Sequence, residues 1–332
     1  MHLSARQDTS DPAHLPLDAM ACQAATKNLA SAAKLPSNPV AVFVGGTSEI
    51  GQGMAEAFNR HTKGNSHIVL VGRNRVAAEG IIERMKAASP ESRTGSYEFV
   101  PCDVSLMSDV HKSSAEIFSR HPKVNFLVLT AGFMSTTRDT TPEGLDKKLA
   151  VQYYGRWSFI NGLLPSLRTT RDAGEDTKVF SIYSAGHGGN IDINDLRLKK
   201  STSSSIASEG STYNDLMCDE FALRNPGIVF AHADPGAVRT NLLKLSDSFL
   251  LRAGNMIMPL FSTLTVSQDK AGERLWSGLY HVGPKAGSGE IPGSWRLTSK
   301  GEDVGLKNYF GKPEYRKALW EHTLADTEST EA

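Results

Sequence analysis

Glycines follow the first buried strand that the sequence predicts, at the point where a helix begins. The segment VGGTSEIGQG, residues 44–53, directly continues the apolar run VAVF. Gly45 can form the tight turn, and Gly51 can let the helix pack closely on the sheet. Backbone N–H groups and the positive end of such a helix bind phosphate. The spacing therefore predicts a pyrophosphate site, although a glycine after a strand can also be only a turn.

The end of the second predicted strand bears on the choice of nucleotide. An acidic residue there would accept a hydrogen bond from the ribose 2′-hydroxyl of NAD, whereas a guanidinium suits the 2′-phosphate of NADP. In this chain Gly72 is followed by Arg73 and Asn74. NADP is therefore preferred over NAD. The alternative for Arg73 is a solvated surface cation.

Short β-branched runs alternate with helical segments from Pro39 onward. The runs are VAVFVGG, HIVLVGRN, YEFVPCDVS, NFLVLTAG, KVFSIYSAG and GIVFAHADPG. Near-continuous apolar strands separated by helices are typical of a parallel sheet that is covered on both faces. We therefore predict an α/β fold, a doubly wound Rossmann-type parallel sheet with helices on both faces, in a single domain.

The composition changes at both ends of this pattern. Residues 1–38 are polar and are predicted to form an N-terminal arm, and residues 39–282 form the Rossmann-type domain. That domain includes an apolar substrate loop at 241–265. Residues 283–332 are expected to be a C-terminal extension packed on the same domain.

The bulk composition bears on partners and location. Lys plus Arg (36) equals Asp plus Glu (36), so no basic excess favours nucleic acid. Cys22, Cys102 and Cys218 are too scattered for a disulfide framework or a structural metal site. The longest apolar stretch, residues 248–261, is interrupted by polar residues and proline, which argues against a membrane span. A cytoplasmic protein without a bound metal is expected.

The order of the motifs resembles that of the short-chain dehydrogenase/reductase family. VGGTSEIG is similar to the family's TGxxxGIG, and CDVS, TAG and PGAVRT follow the third, fourth and sixth strands. The resemblance covers about residues 40–240. SAGHGGNIDINDL resembles the retinol-dehydrogenase-like branch, and AVFVGGTS resembles fungal enzymes of secondary metabolite biosynthesis. The resemblance implies an NADP-dependent oxidoreductase.

The resemblance also implies which residues hold the cofactor, in addition to Arg73 and Asn74. At the pyrophosphate they are Gly45, Thr47, Ser48, Ile50 and Gly51, and at the adenine they are Asp103 and Val104. Ala131 and Gly132 would flank the ribose, and Pro235, Gly236 and Thr240 would lie beside the nicotinamide amide.

Two catalytic residues are implied by the same resemblance. Ser184 would hold the substrate carbonyl, and Tyr213 would transfer the proton. The alternatives are a turn serine and a loop tyrosine. The family's lysine, four residues after the tyrosine, is replaced by Met217.

Three further positions depart from the family pattern. Glu49 stands where the middle glycine of the turn belongs, Thr130 replaces the first residue of NAG, and Gln152 replaces the asparagine of the proton relay. A carboxylate at position 49 would repel the pyrophosphate, so it is expected to point away or to weaken cofactor binding.

The missing lysine changes the expected chemistry. An ammonium about 4 Å from a phenol, at an effective dielectric of about 20, favours the phenolate by about 4 kcal/mol. That energy could lower a tyrosine pKa by about 3 from its usual ~10. Without it, Tyr213 is expected to stay protonated. A protonated phenol can donate to the oxygen formed in ketone reduction, but it is a poor base for alcohol oxidation.

The segment after PGAVRT suggests a substrate class. It reads NLLKLSDSFLLRAGNMIMPLFSTL and is rich in Leu, Met and Phe, which line adaptable apolar pockets. A hydrophobic polycyclic, terpenoid or polyketide-like substrate is predicted, with an ordinary core helix as the alternative for this segment.

Three functions remain open from the sequence. The first is NADPH-dependent reduction of a ketone. The second is a non-redox isomerase, dehydratase or cyclase on the same scaffold, and the third is a cofactor-binding protein without turnover. Either a monomer or a homodimer is compatible with the sequence.

Overall fold

A computed structural model of the protein describes most of the predicted α/β region. The described residues are 35–91, 93–135, 137–202, 205–239 and 265–328. Residues 1–34 of the predicted arm lie outside this range. Thr240 and the predicted substrate loop, apart from its last residue Thr265, also lie outside it.

A seven-stranded parallel sheet forms the centre of the molecule. Its strands are β1 Val40–Val44, β2 His67–Gly72, β3 Ser96–Pro101, β4 Phe126–Leu129, β5 Lys178–Ile182, β6 Val229–Ala233 and β7 Ser294–Leu297. Their order is β3-β2-β1-β4-β5-β6-β7. From β1 to β3 successive strands are added on one side of β1, whereas β4 to β7 are added on its other side. Open α/β sheets bind ligands at the point where this order reverses, here between β1 and β4. The predicted Rossmann-type fold is confirmed.

Strand β7 extends the sheet beyond the six strands that the sequence predicts. It pairs in parallel with β6, with Ser294 opposite Phe230. The run SWRL carries the buried polar residues Ser294 and Arg296. A short strand with polar residues on its buried side has no apolar pattern, so the sequence did not reveal it. Part of the predicted C-terminal extension therefore belongs to the sheet itself.

Helices cover both faces of the sheet. They are α1 Glu49–His61, α2 Arg75–Ala87, α3 Met107–Arg120, α4 Lys147–Leu149, α5 Gly155–Asp172, α6 Ser205–Arg224, α7 Gln268–His281 and α8 Pro313–Glu328. Core residues of α1, α2 and α7 pack on one face. Those of α3, α5, α6 and α8 pack on the other. No helix within the described ranges has both the length and the apolar character needed to cross a bilayer.

A π-helical turn at Ala150–Tyr154 joins α4 to α5. Such wide turns are rare and occur often at functional sites, because the extra residue re-aims a side chain. Here the turn carries Gln152, a residue that the sequence placed in the proton relay.

Helices α1 and α7 meet through their backbones. A Cβ atom on Gly53 would lie 2.5 Å from the Gln268 carbonyl oxygen, and one on Gly272 would lie 2.7 Å from the Gly53 carbonyl carbon. The Trp276 indole N–H donates to the Met54 carbonyl at 2.8 Å across the same contact. Only glycine fits where the two helices cross.

Gly53→Ala is expected to lower the free energy of unfolding by about 1–3 kcal/mol, because the added methyl would overlap backbone that cannot move aside. Gly80→Ala in α2 is the control, since the nearest atom to its Cβ is the flexible Arg84 Nη1 at 3.8 Å. That exposed change is expected to stabilise by ~0.5–1 kcal/mol. Urea unfolding of both variants checks this, and equal stability of the two would contradict the close helix contact.

Candidate active site

The turn between β1 and α1 presents bare backbone to the carboxyl end of β4. Gly45 has φ +89°, and a Cβ atom there would lie 2.6 Å from the Ala131 backbone nitrogen. A Cβ on Gly51 would lie 2.4 Å from the Gly45 carbonyl oxygen. Ser48 begins α1 without capping it through its side chain. The turn thus packs closely on the end of β4 and leads into the first N–H groups of α1, a backbone arrangement that fits a pyrophosphate.

Glu49 lies within this turn in a left-handed conformation, with φ +54°. Glycine is favoured there because a Cβ atom crowds the backbone. One carboxylate oxygen of Glu49 accepts a hydrogen bond from Gln268 Nε2 at 2.8 Å. This bond ties the carboxylate to the first residue of α7 and restrains it from turning freely over the glycine turn.

Arg73 lies at the carboxyl end of β2 with its side chain 73% exposed. Its Nη1 is 3.8 Å from Asp103 Oδ2, a contact that is weak at this exposure. Burial alone would raise the Asp103 pKa, but hydrogen bonds from the Ser105 N–H and hydroxyl, together with Arg73, lower that pKa. Asn74 caps α2 by accepting a hydrogen bond from the Ala77 N–H at 3.0 Å. The exposed Arg73 side chain can therefore reach a bound anion, whereas the side-chain oxygen of Asn74 is used to cap α2.

The other predicted cofactor residues that are described follow the ends of parallel strands, and so lie along one edge of the sheet. They are Thr47 and Ile50 after β1, Val104 after β3, Ala131 and Gly132 after β4, and Pro235 and Gly236 after β6. Thr47 lies against the end of β2, since a Cβ on Gly72 would be 2.8 Å from its hydroxyl oxygen.

Ser184 follows β5 on the same edge and is partly exposed. Its N–H donates to His232 Nε2 at 3.1 Å, and its carbonyl oxygen accepts from the Ser211 hydroxyl at 2.6 Å. Within the residues that the structure describes, no hydrogen bond occupies the Ser184 hydroxyl itself. The backbone of Ser184 is thus held in place while its hydroxyl remains available to a ligand.

A buried polar chain holds Ser184 from behind. Because a backbone N–H can only donate, His232 Nε2 must be unprotonated, and its Nδ1–H donates to Asp215 Oδ1 at 2.7 Å. The same oxygen lies 3.0 Å from Arg296 Nε, an ion pair without hydrogen-bond geometry. The side chains of His232, Asp215 and Arg296 are almost wholly inaccessible to solvent. A neutral histidine between an ion pair and a serine backbone therefore positions Ser184.

Tyr213 does not reach this edge, which corrects the predicted role of that residue. Its side chain has no exposed surface, and its hydroxyl donates to the Leu196 carbonyl at 3.1 Å. Its ring contacts that of Tyr153 edge-on, with centroids 5.1 Å apart. Burial, the largest cause, raises the Tyr213 pKa well above its usual value. Met217, 2% exposed, lies in the same apolar core. Tyr213 is a core tyrosine in this structure.

Gly210 and Asn214 face the end of β5 from α6, as Ser211 does. Asn214 Oδ1 accepts from the Ser181 hydroxyl at 2.7 Å, and its Nδ2 donates to the Gln152 carbonyl at 3.0 Å. A Cβ on Gly210 would lie 3.5 Å from the Tyr183 ring. Gly210 and Asn214 thus precede Tyr213 and Met217 by three residues each, and neither of them is a lysine.

Tyr183, which the sequence analysis missed, occupies the space beside Gly210. Its hydroxyl donates to Gln152 Oε1 at 2.8 Å, and the Arg156 guanidinium lies 5.5 Å from its ring centroid. Burial raises the Tyr183 pKa to about 12, and Arg156 opposes that rise. Its position next to Ser184 in SIYSAG was the available signal.

Comparison with known proteins identifies the family of this chain. Residues 39–190 match the sequence profile of the short chain dehydrogenase family. The chain is 32% identical to Oxidoreductase AN1596 of Emericella nidulans over 74% of this chain and 72% of that protein. It is 27% identical to the polyprenol dehydrogenase of Mus musculus over 63% of each chain.

A solved structure shows the same fold. The NADPH-bound carbonyl reductase from chicken fatty liver superposes with a TM-score of 0.56 at 17% identity, over 82% of this chain and 100% of that chain. With the profile and the fungal relative, this likeness places the protein in the short-chain dehydrogenase/reductase family, and it is an oxidoreductase.

Asp215→Asn tests the buried chain behind Ser184. It keeps the size of the side chain but leaves the Arg296 cation, 3% exposed, without its anion. Breaking such a pair is expected to cost about 3–5 kcal/mol of unfolding free energy. Asp172→Asn is the control, because Asp172 pairs with Arg171 at the surface and is 65% exposed; its free energy of unfolding is expected to stay close to that of the wild type. Denaturant titration compares them, and a stable Asp215→Asn protein would argue against the buried ion pair.

Proposed function

We propose that this protein reduces a carbonyl group of a small hydrophobic molecule, with NADPH as the hydride donor. The observation that carries the proposal is the bare backbone at Gly45 and Gly51, where neither residue has room for a Cβ atom. This turn lies on the same sheet edge as Ser184, whose hydroxyl is available. A nucleotide bound at the glycine turn could thus extend towards a side chain that binds a carbonyl.

The glycine turn and the first N–H groups of α1 would hold the pyrophosphate, and Arg73 would hold the 2′-phosphate. The exposure of the Arg73 side chain and its weak pairing with Asp103 support this role. No acidic residue stands at Gly72, Arg73 or Asn74 to favour NAD. NADPH, when bound, supplies a hydride.

Ser184 would donate a hydrogen bond to the carbonyl oxygen of the substrate. Its backbone is held on two sides, by His232 and by Ser211. A donor fixed before the substrate arrives needs little reorganisation as negative charge develops on that oxygen. The serine thus polarises the carbonyl and aligns it.

A hydrophobic substrate is supported by two separate observations. Residues 241–264 supply a run of Leu, Met and Phe directly after the sixth strand segment. One relative is a polyprenol dehydrogenase, and a polyprenol is a long apolar alcohol. Both favour a ligand that is bound chiefly by burial of apolar surface.

A second candidate function has an observation of its own. Tyr213 is enclosed in the core, and α6 offers Asn214 and Met217 in place of a lysine. A chain that binds NADPH without consuming it, or that isomerises or dehydrates a carbonyl compound, is compatible with these residues.

Gly45→Ala is expected to abolish NADPH binding, because at this positive φ the methyl would collide with the Ala131 backbone nitrogen and displace the turn. Gly174→Ala is the matched control: its φ is +73°, and no atom lies within 4 Å of its Cβ. It carries the same kind of backbone strain far from any neighbour. Calorimetric titration with NADPH measures binding, and circular dichroism checks that each variant folds. Undiminished binding by Gly45→Ala would contradict the site.

NADPH oxidation that depends on an added carbonyl compound distinguishes reduction from the second candidate function.

Arg73→Ala tests the preference for NADP. It is expected to weaken NADPH binding by about tenfold, the loss of one charge-assisted hydrogen bond, and to leave NADH binding unchanged. Lys86→Ala, an exposed cation near the end of α2, is the control and should alter neither affinity. An equal loss for NADPH and NADH would show that Arg73 does not read the 2′-phosphate.

A further inference from the structure

We propose that Tyr183, supported by the buried Arg156, gives the proton to the substrate oxygen in place of a tyrosine on α6. This inference rests on the proposed carbonyl reduction. It assigns the acid to the end of β5, next to Ser184, instead of to a helix.

The position of the Tyr183 hydroxyl is set by two neighbours. It donates to Gln152 Oε1 at 2.8 Å, and its ring lies over the Gly210 backbone, where a Cβ would come within 3.6 Å of the hydroxyl oxygen. Tyr183 and Ser184 are both partly exposed, whereas Tyr213 is enclosed. Because Gly210 has no side chain, it leaves the phenol room at the sheet edge. A hydroxyl group rotates about its C–O bond, so it can turn from Gln152 to a ligand.

Arg156 supplies a positive charge below this phenol. The guanidinium is 1% exposed and donates to the Ser181 hydroxyl at 2.7 Å, the Ile182 carbonyl at 2.9 Å and the Ala131 carbonyl at 2.8 Å. All three acceptors are neutral, and no carboxylate among the described residues is in ion-pair distance. Burial lowers the Arg156 pKa to about 10, which still leaves it charged near neutrality.

An uncompensated buried cation stabilises negative charge nearby. Its guanidinium carbon is 5.5 Å from the centroid of the Tyr183 ring. Arg156 therefore favours the phenolate that remains after proton transfer, the task that an ammonium on α6 would otherwise perform.

The ionisation of Tyr183 suits an acid. Its pKa, raised to about 12 by burial against the opposing effect of Arg156, keeps it protonated at neutral pH. The other groups that face it are Gln152, which is uncharged, and His232, whose neutral ring is stacked with centroids 6.4 Å apart. We expect no alkaline loss of reduction from this group until the pH approaches 12.

The reaction balances with these groups. The carbonyl carbon accepts a hydride, the π electron pair moves to the oxygen, and that oxygen takes the proton as the Tyr183 O–H bond breaks. The products are an alcohol, NADP⁺ and a phenolate beside Arg156. The phenolate regains a proton from water at its partly exposed edge.

The experiment compares Tyr183→Phe with Tyr213→Phe, because each removes one tyrosine hydroxyl. With NADPH and nitrobenzaldehyde as the carbonyl probe, Tyr183→Phe is expected to lower kcat at least about a hundredfold while NADPH binding is kept. Tyr213→Phe is expected to keep the wild-type kcat with a slightly lower Tm. A Tyr213→Phe protein as slow as Tyr183→Phe would overturn the proposal.

A second measurement does not depend on turnover. N-acetylimidazole acetylates accessible phenols, and mass spectrometry of peptides locates the label. Tyr183 is expected to be labelled in the native protein and protected by NADPH with nitrobenzyl alcohol, whereas Tyr213 stays unlabelled. Labelling of Tyr213 but not Tyr183 would refute the assignment.

The outcomes separate this proposal from the function on which it rests. An active wild type with an equally active Tyr183→Phe variant overturns the role of Tyr183 alone. A wild type that binds NADPH but never oxidises it with any carbonyl probe overturns both.

Discussion

The buried guanidinium of Arg156 connects the carboxyl ends of strands β4 and β5 at the candidate site. Arg156 holds the Ala131 carbonyl after β4 and the Ser181 hydroxyl and Ile182 carbonyl on β5. Removing a cation from water is costly, and no anion among the described residues offsets that cost. Such a group persists only where the acceptors are fixed by the sheet. The same constraint sets the position of Tyr183, whose ring lies over Arg156.

Two buried arginines near the site, Arg296 and Arg156, differ in the partners that surround their charge. Arg296 is paired with Asp215, so its charge is largely cancelled, and the effect passed to Ser184 through His232 is one of position. Arg156 has only neutral partners, so its field remains and acts on Tyr183. One network thus orients a hydrogen-bond donor, while the other supports a negative charge. Both are in place before a substrate binds, as preorganised electrostatic stabilisation requires.

Most of the fold could be predicted from the sequence because its causes are local. Six apolar runs, each separated by a helical segment, specify a covered parallel sheet, and the glycine turn can be recognised because it directly follows the first run. Strand β7 could not be predicted in this way, because its buried Arg296 pairs with Asp215 of α6, a residue far from it in the sequence. Which face of α6 lies at the candidate site also depends on how the helix is rotated about its axis. Gly210 and Tyr213 are three residues apart, and only the packing of α6 against β5 shows which of them reaches the edge.

The position of the nicotinamide relative to Tyr183 tests the central claim most directly. In a crystal structure with bound NADPH, we expect the reactive carbon of the ring to face an opening where a carbonyl oxygen lies about 3 Å from both the Tyr183 and Ser184 hydroxyls. A nicotinamide that lies away from the end of β5, or a Tyr183 hydroxyl enclosed as completely as that of Tyr213, would contradict the account.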